Sequence, residues 1–254
     1  MPRLRSGPLV AWASAWFAGR VGPDDVLDAV RCCDGPHQVK PIDAAARPGA
    51  AVGAVIATSL LDLLAAWRRA GGQIRLALPV PGDVRGVPGP APFRLAAVEA
   101  GEAVIGSGVG AVPRVVLTPS SAPSTVVWDI HAIAEAPVDH IQLGDAQYEL
   151  ATAIRESASA LRAADVAGSA ADVNDRLSDA RRAGERLNLP PGWPPRAVAL
   201  LAQAERLQAV LDLAAQDPVG GAVDRAGIAA RREALRPLAT AVRRARLAAY
   251  NVDL

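Results

Sequence analysis

Apolar and polar positions change rhythm once along this chain, near Pro137. Upstream, short period-two runs alternate with Gly- and Pro-rich breaks. Downstream, apolar residues recur every three or four positions. In the first part, Ile74, Leu76, Leu78 and Val80 alternate with Arg75, Ala77 and Pro79, which predicts a strand with two different faces. RVVLT (114–118) and STVVWDI (124–130) predict two more strands, joined through PSSAP. Pro23 followed by DDVLDAV predicts a short helix whose first-turn acids suit the helix dipole. Residues 50–70 read as a long apolar helix stopped by Gly71-Gly72. Residues 93–106 stay open between a helix capped near Gly101 and a hairpin turning at Ala100-Gly101.

The second part predicts four helices, each with one apolar stripe. The first carries Leu143, Leu150, Ile154, Leu161 and Asp165, with Ala158 between. The second carries Val173, Leu177, Ala180, Gly184 and Leu187. The third carries Ala197, Leu200, Ala204, Leu207, Leu211 and Ala214. The fourth carries Ile228, Leu235, Leu238, Val242, Ala245 and Ala249, with Pro237 expected to kink or break it. Short connections make neighbours antiparallel. The fold class is therefore α+β: a mixed helix/sheet domain over 1–136, then an all-α antiparallel four-helix region over 137–254.

Composition sharpens this picture. Aromatics are only 4% of the 254 residues, so Ala, Leu and Val must fill the core. Lys40 is the single lysine among 27 basic residues, and the arginines are spread along the whole chain. The net charge of +1 gives no global case for nucleic acid. Residues 140–224 hold 8 Arg and 12 acids, net −4, while 225–250 hold 7 Arg and Glu233, net +6. A basic helix beside acidic ones is neutralised within the fold.

Two apolar runs bear on membranes. MPRLRSGPLVAWASAWFAG has the basic start of an export signal, but it holds two Trp and no clear A-x-A site before Arg20 and Asp24. AAVGAVIATSLLDLLAAW (50–67) is nearly long enough to span a bilayer, but Asp62 and its Ala and Gly content favour a buried helix. Cys32 and Cys33 are the only cysteines, and an adjacent pair builds no disulfide framework. The expectation is a cytoplasmic chain with no membrane segment.

Candidate chemistry is sparse. In LALPVPGDVRGVPGPAPF (76–93), Pro79 and Pro81 end the strand, and Gly82 and Gly86 set Asp83 and Arg85 at its tip. That loop reads either as a rigid strand ending with a local ion pair or as an anion-binding fork. Asp129 and His131 share one strand face, opposite Val126, Trp128 and Ile130, and such a pair can orient a general base. Ser120, Ser121 and Ser124 precede it, but there is no G-x-S-x-G elbow. GSGVGA (106–111) has dinucleotide-type glycine spacing, yet Pro113 and RVV follow where a helix is needed, so a glycine turn between strands is expected. Cys32, Cys33 and His37 do not have a zinc-site spacing. PPGWPP (190–195) separates two helices, and Trp193 reads as a cover over the bundle end or as a docking point for a partner. No cofactor and no metal are expected.

Several stretches together, LPVPGDVRGVPGPAPF, EAGEAV, VVWDIHA, LPPGWPPRAVALLAQAERLQAVLDLA and GGAVDRAGIAARREALRPLATAVRRARLAAYN, resemble an actinobacterial family of uncharacterised proteins of about this length. The resemblance covers most of the chain and implies a cytoplasmic protein whose two parts travel together. It implies no activity or ligand. The functional expectation is a non-enzymatic binding or scaffolding protein with a protein partner on its helical region. The alternative is a small-ligand-binding protein or enzyme with Asp83, Arg85, Asp129 and His131 at one sheet end.

Overall fold

The structure, a computed structural model, describes residues 4–32, 34–42, 59–117, 124–134, 141–163, 187–216 and 225–254. It divides into two compact units. One holds residues within 2–139 together with 188–191 and 253–254; the other holds residues within 140–187 and 192–252.

The first unit is a mixed five-stranded sheet with helices on both faces. In chain order it runs α1 (Ser6–Phe17), α2 (Pro23–Arg31), β1 (His37–Pro41), α3 (Leu60–Arg69), β2 (Ile74–Ala77), α4 (Ala91–Ala100), β3 (Ala103–Gly106), β4 (Val109–Val116) and β5 (Thr125–Ala132). The strand order is β1-β5-β4-β3-β2. Among the described strands, only the β1–β5 pair is parallel.

The run that resembles an export signal is α1. Leu9, Val10, Ala11, Ala13 and Ala15 are all fully buried, which explains why the segment is apolar on every side. The long apolar helix begins later than expected, because Ser59 is extended and caps α3. The Asp62 carboxylate accepts from the Ser59 backbone N–H at 2.9 Å, and the Asp62 N–H donates back to Ser59 Oγ at 3.2 Å. Asp62, the polar residue in that apolar run, is thus half of a capping box. Residues 50–58 lie outside the described residues. The helix stops as expected, with Gly72 at φ +67° donating its N–H to the Trp67 carbonyl. The open segment resolves as helix α4 ended by left-handed Gly101, followed directly by β3.

Alternation along the strands sorts residues onto two covered faces. Val126, Trp128 and Ile130 share one face with Ala111, Val104 and Leu76, on the side of Trp67 from α3. The other face carries Val112, Ile105 and Ala77 under Phe93 and Ala97 of α4. GSGVGA is a β3–β4 hairpin turning at Ser107-Gly108, with Gly108 at φ +70°. Its two strand glycines have separate packing roles. A Cβ on Gly106 would overlap the Trp67 indole, and one on Gly110 would overlap the Phe93 ring. The missing side chains let one large ring lie on each face of the sheet.

The second unit contains, among the described residues, α5 (Leu143–Ala163), α6 (Pro195–Gln216) and α7 (Arg225–Tyr250). The second predicted helix, at Val173, Leu177, Ala180 and Gly184, lies outside the described residues. Helix α7 is central. Its Leu238, Ala241, Val242, Ala245 and Ala248 pack against Ala146, Leu150 and Ala153 of α5 and Leu200, Ala204 and Leu211 of α6. The buried seam of α5 is rotated from the expected stripe: Ala146, Ala153 and Ser157 are buried, whereas Ala158 is exposed. Helix α7 is not broken at Pro237. Ion pairs Arg244–Glu149 (2.6 Å) and Arg246–Glu205 (2.9 Å) tie it to α5 and α6, so part of its positive charge is neutralised inside the unit.

The glycine packing gives a direct stability test. Gly106→Ala and Gly110→Ala are each expected to destabilise the chain by about 1–3 kcal/mol in urea denaturation. Gly144→Ala, in α5 with open space around it, is expected to be neutral or stabilising by up to about 1 kcal/mol. Equal midpoints for all three would contradict the packing.

Candidate functional site

The loop after β2 is two successive turns. Val80 and Asp83 exchange both backbone hydrogen bonds, at 3.0 and 2.9 Å, across Pro81-Gly82, and Gly82 sits at φ +86°. This is the type II geometry that Pro-Gly favours. A second turn closes from Val84 to Val87 over Gly86 at φ +75°. Arg85 donates Nε and Nη2 to Asp83 at 2.9 and 2.8 Å, a bidentate pair within the loop. The Arg85 side chain is 63% exposed, and Val80 and Val84 are exposed beside it.

On β5, Asp129 and His131 share a face as expected but have different surroundings. Asp129 is gripped by Arg114 of β4, with Nε 3.0 Å and Nη2 3.3 Å from its two oxygens. His131 is buried, with its ring 5.4 Å from Phe93, because α4 covers this face. Strands β2 and β5 are separated in the sheet by β3 and β4. The four expected site residues thus fall into three settings: a loop pair, a strand pair and a buried ring.

A buried polar centre that the sequence reading did not single out lies at the start of α1. Glu102, 7% exposed, accepts from the backbone N–H groups of Arg5 (2.9 Å) and Ser6 (2.6 Å) through one oxygen. It serves as the N-terminal cap of a buried helix, supplied from just ahead of β3. Burial pushes its carboxyl above the usual 4.5, against the pull of those hydrogen bonds and of Arg5. The Arg5 guanidinium in turn donates to Asp34 at 2.8 Å, in the loop between α2 and β1. At the start of β1, His37 Nδ1 accepts from the buried Trp128 indole at 3.0 Å. Two signals for this centre stand in the sequence: an acid between a helix-ending glycine and an apolar strand, and Asp34-Gly35 marking a turn.

The remaining candidates are placed as follows. Cys32 is exposed, 3.6 Å from the Asn188 side-chain amide, and Cys33 lies outside the described residues. Asn188 also donates to the Ala29 carbonyl at 2.7 Å and accepts from Trp12 at 2.8 Å, which fixes residues 188–191 in the sheet unit. Trp193 is buried, its indole N–H given to the Ala249 carbonyl at 3.1 Å, so it packs over the end of α7. Ser120 and Ser121 lie outside the described residues. No cluster of His, Cys, Asp and Glu able to hold a metal occurs among the described residues.

Comparison with known proteins finds two family models along the chain. The family model described as Rv1486c-like protein, N-terminal domain, matches residues 6–141, and its C-terminal counterpart matches residues 144–247. The chain is similar to the uncharacterized protein Rv1486c of Mycobacterium tuberculosis strain H37Rv, 36% identical, with 97% of this chain and 96% of the relative covered. It is similar to the uncharacterized protein ML1804 of Mycobacterium leprae, 31% identical over the same shares of each chain. No solved structure matches the chain.

Glu102 sets a pH test. Its carboxyl titrates higher when folded than when unfolded, so the folded state binds the extra proton and loses stability as pH rises through that window. Glu102→Gln keeps an acceptor and removes the titration. Its stability relative to the native chain is expected to improve as pH rises from about 4 to about 7. Glu102→Ala, which strands the buried Ser6 N–H and the part-buried Arg5 N–H, is expected to cost about 1–3 kcal/mol. A Gln variant that instead loses ground steadily with rising pH would show that Glu102 favours its charged form.

Proposed function

The chain belongs to the Rv1486c-like protein family, and for it we propose a non-enzymatic binding or scaffolding role in the cytoplasm. In this reading the sheet unit (1–136) and a four-helix region (137–254) form one working protein, and the helical part meets a protein partner. Internal pairing of the charged candidates supports it: Asp83 with Arg85, Asp129 with Arg114, and Asp34 with Arg5. Among the described residues, no helix is long and apolar enough to cross a membrane.

The observation that carries the partner reading is the outer face of α5. Tyr148 is 71% exposed there, with Gly144 one turn before it and Ala151, Arg155 and Ala158 after it at helical spacing. Tyr and Arg are among the side-chain types enriched at interface hot spots. Trp193, committed to Ala249, supports the shape of the unit instead of the contact.

A second reading, a small anionic ligand bound with Asp83, Arg85, Asp129 and His131 contributing, rests on the exposed Arg85 fork held on a rigid double turn. The two readings separate experimentally. Affinity capture from native lysate with the full chain, compared with Tyr148→Ala/Arg155→Ala, is expected to lose a stoichiometric partner at least about tenfold in the variant. A partner retained equally by both forms would remove the α5 face from the account. A ligand-induced thermal shift abolished by Arg85→Ala, with no partner captured, would favour the second reading.

A further inference from the structure

Strand β1 is the edge of the sheet, paired among the described strands with β5 alone and in parallel. Besides the backbone pairing, which Val126 N–H to Pro36 and Ile42 N–H to Ile130 extend at either end, the side-chain hydrogen bond between β1 and β5 among the described residues runs from Trp128 Nε1 to His37 Nδ1, 3.0 Å long. We propose that β1 is a proton-released edge strand, latched to β5 by this bond and freed when His37 takes up a proton. Release bares the outer backbone edge of β5, a row of donors and acceptors able to pair with another strand.

The argument rests on hydrogen-bond inventory. An indole nitrogen only donates, so the Nδ1 it meets must be bare and the ring proton must sit on Nε2. An imidazolium carries a hydrogen on both nitrogens. Protonation therefore turns the contact into donor against donor. Trp128 is fully buried within β5 and has no route to water. His37 Nε2 is buried too and has no hydrogen-bond acceptor among the described residues.

Among the charged groups around the ring, Asp34 has the largest effect and it favours a charged His37. Arg31 at the end of α2 and Arg5 ahead of α1 oppose a second positive charge. Asp34 is itself engaged by Arg5. Helix α3, the other element packed on β1, has its charged side chains turned to other tasks. Asp62 caps its own helix, Arg68 lies 4.8 Å over the Trp16 ring, and Arg69 donates to the Ala65 carbonyl. On β5, Asp129 is held by Arg114. Burial is the largest effect, and it lowers the His37 pKa below the ordinary 6.5.

The sign follows. A freed His37 binds a proton more readily than a latched one, so the latch is complete above 6.5 and is lost as pH falls through the folded value. The opening equilibrium shifts by at most about tenfold per pH unit, one proton being involved.

Hydrogen-exchange mass spectrometry on the full chain, from about pH 7.5 to about pH 5 and corrected for intrinsic exchange, tests this across the His range. The native chain is expected to lose protection in 37–42 and 125–132 on acidification. His37→Gln, whose carbonyl still accepts from Trp128 but does not titrate, is expected to stay protected. A native chain indifferent to pH, or the same response in both forms, overturns the proposal. If the Gln variant fails to fold, the His37 ring is titrated by NMR in the native chain. A value below 6.5 that carries the Trp128 indole proton with it supports the latch; a value at or above 6.5, or an indole that does not follow, overturns it.

Discussion

A helix with an entirely apolar surface can be buried on all sides, but its first turn still has backbone N–H groups that need acceptors. The sheet unit is organised around that constraint. Helix α1 lies in the core beside β2 and β3, and its N-terminus receives the Glu102 carboxylate from the chain segment entering β3. That segment begins at Gly101, whose left-handed conformation ends α4 and turns the chain back into the sheet. One carboxylate thus fixes α1 against β3, and Arg5 extends the tie to Asp34 and the approach to β1.

The sheet meets a second demand with few aromatic residues. Trp67 and Phe93 are among its largest buried side chains, and each lies over a strand glycine on its own face. The Trp67 indole also donates to the Val109 carbonyl at 3.3 Å, next to the glycine that admits it. The glycine spacing in GSGVGA is thereby accounted for by packing. Ion pairs follow the same economy. Arg114–Asp129 crosses neighbouring strands, and Arg244 and Arg246 clamp the central helix of the second unit, so the charges most visible in the sequence serve internal contacts.

How much of this could be read from the sequence depended on how local each signal was. The alternation of Val126, Trp128 and Ile130, the Gly71-Gly72 stop and the Pro-Gly turn after β2 are local, and they were legible. Strand β1 escaped notice because HQVKP is short and polar, and its parallel partner lies nearly ninety residues away, at Val126 opposite His37. The seam of α5 was misphased because alanine is neutral in an apolar pattern. Leu143, Leu150 and Ile154 marked the stripe, while Ala146, Ala153 and Ser157 fill it. His131 looked like half of an acid–base pair because nothing local shows that α4 folds back over its face. The role of Glu102 could not be read from its local signal for a related reason: its partners stand 97 and 96 residues earlier, at Arg5 and Ser6.

These features support one account, in which the buried polar groups of the sheet unit are structural clamps; the contact with a partner is proposed for the exposed helical face. The most direct check is an NMR titration of the Glu102 carboxyl alongside the Arg5 and Ser6 amides in the native chain. The account predicts that both amide signals move with the carboxyl titration, as they must if Glu102 caps the helix, and that burial holds that titration above 4.5. A carboxyl that titrates at or below that value, with amides that do not follow, would contradict it.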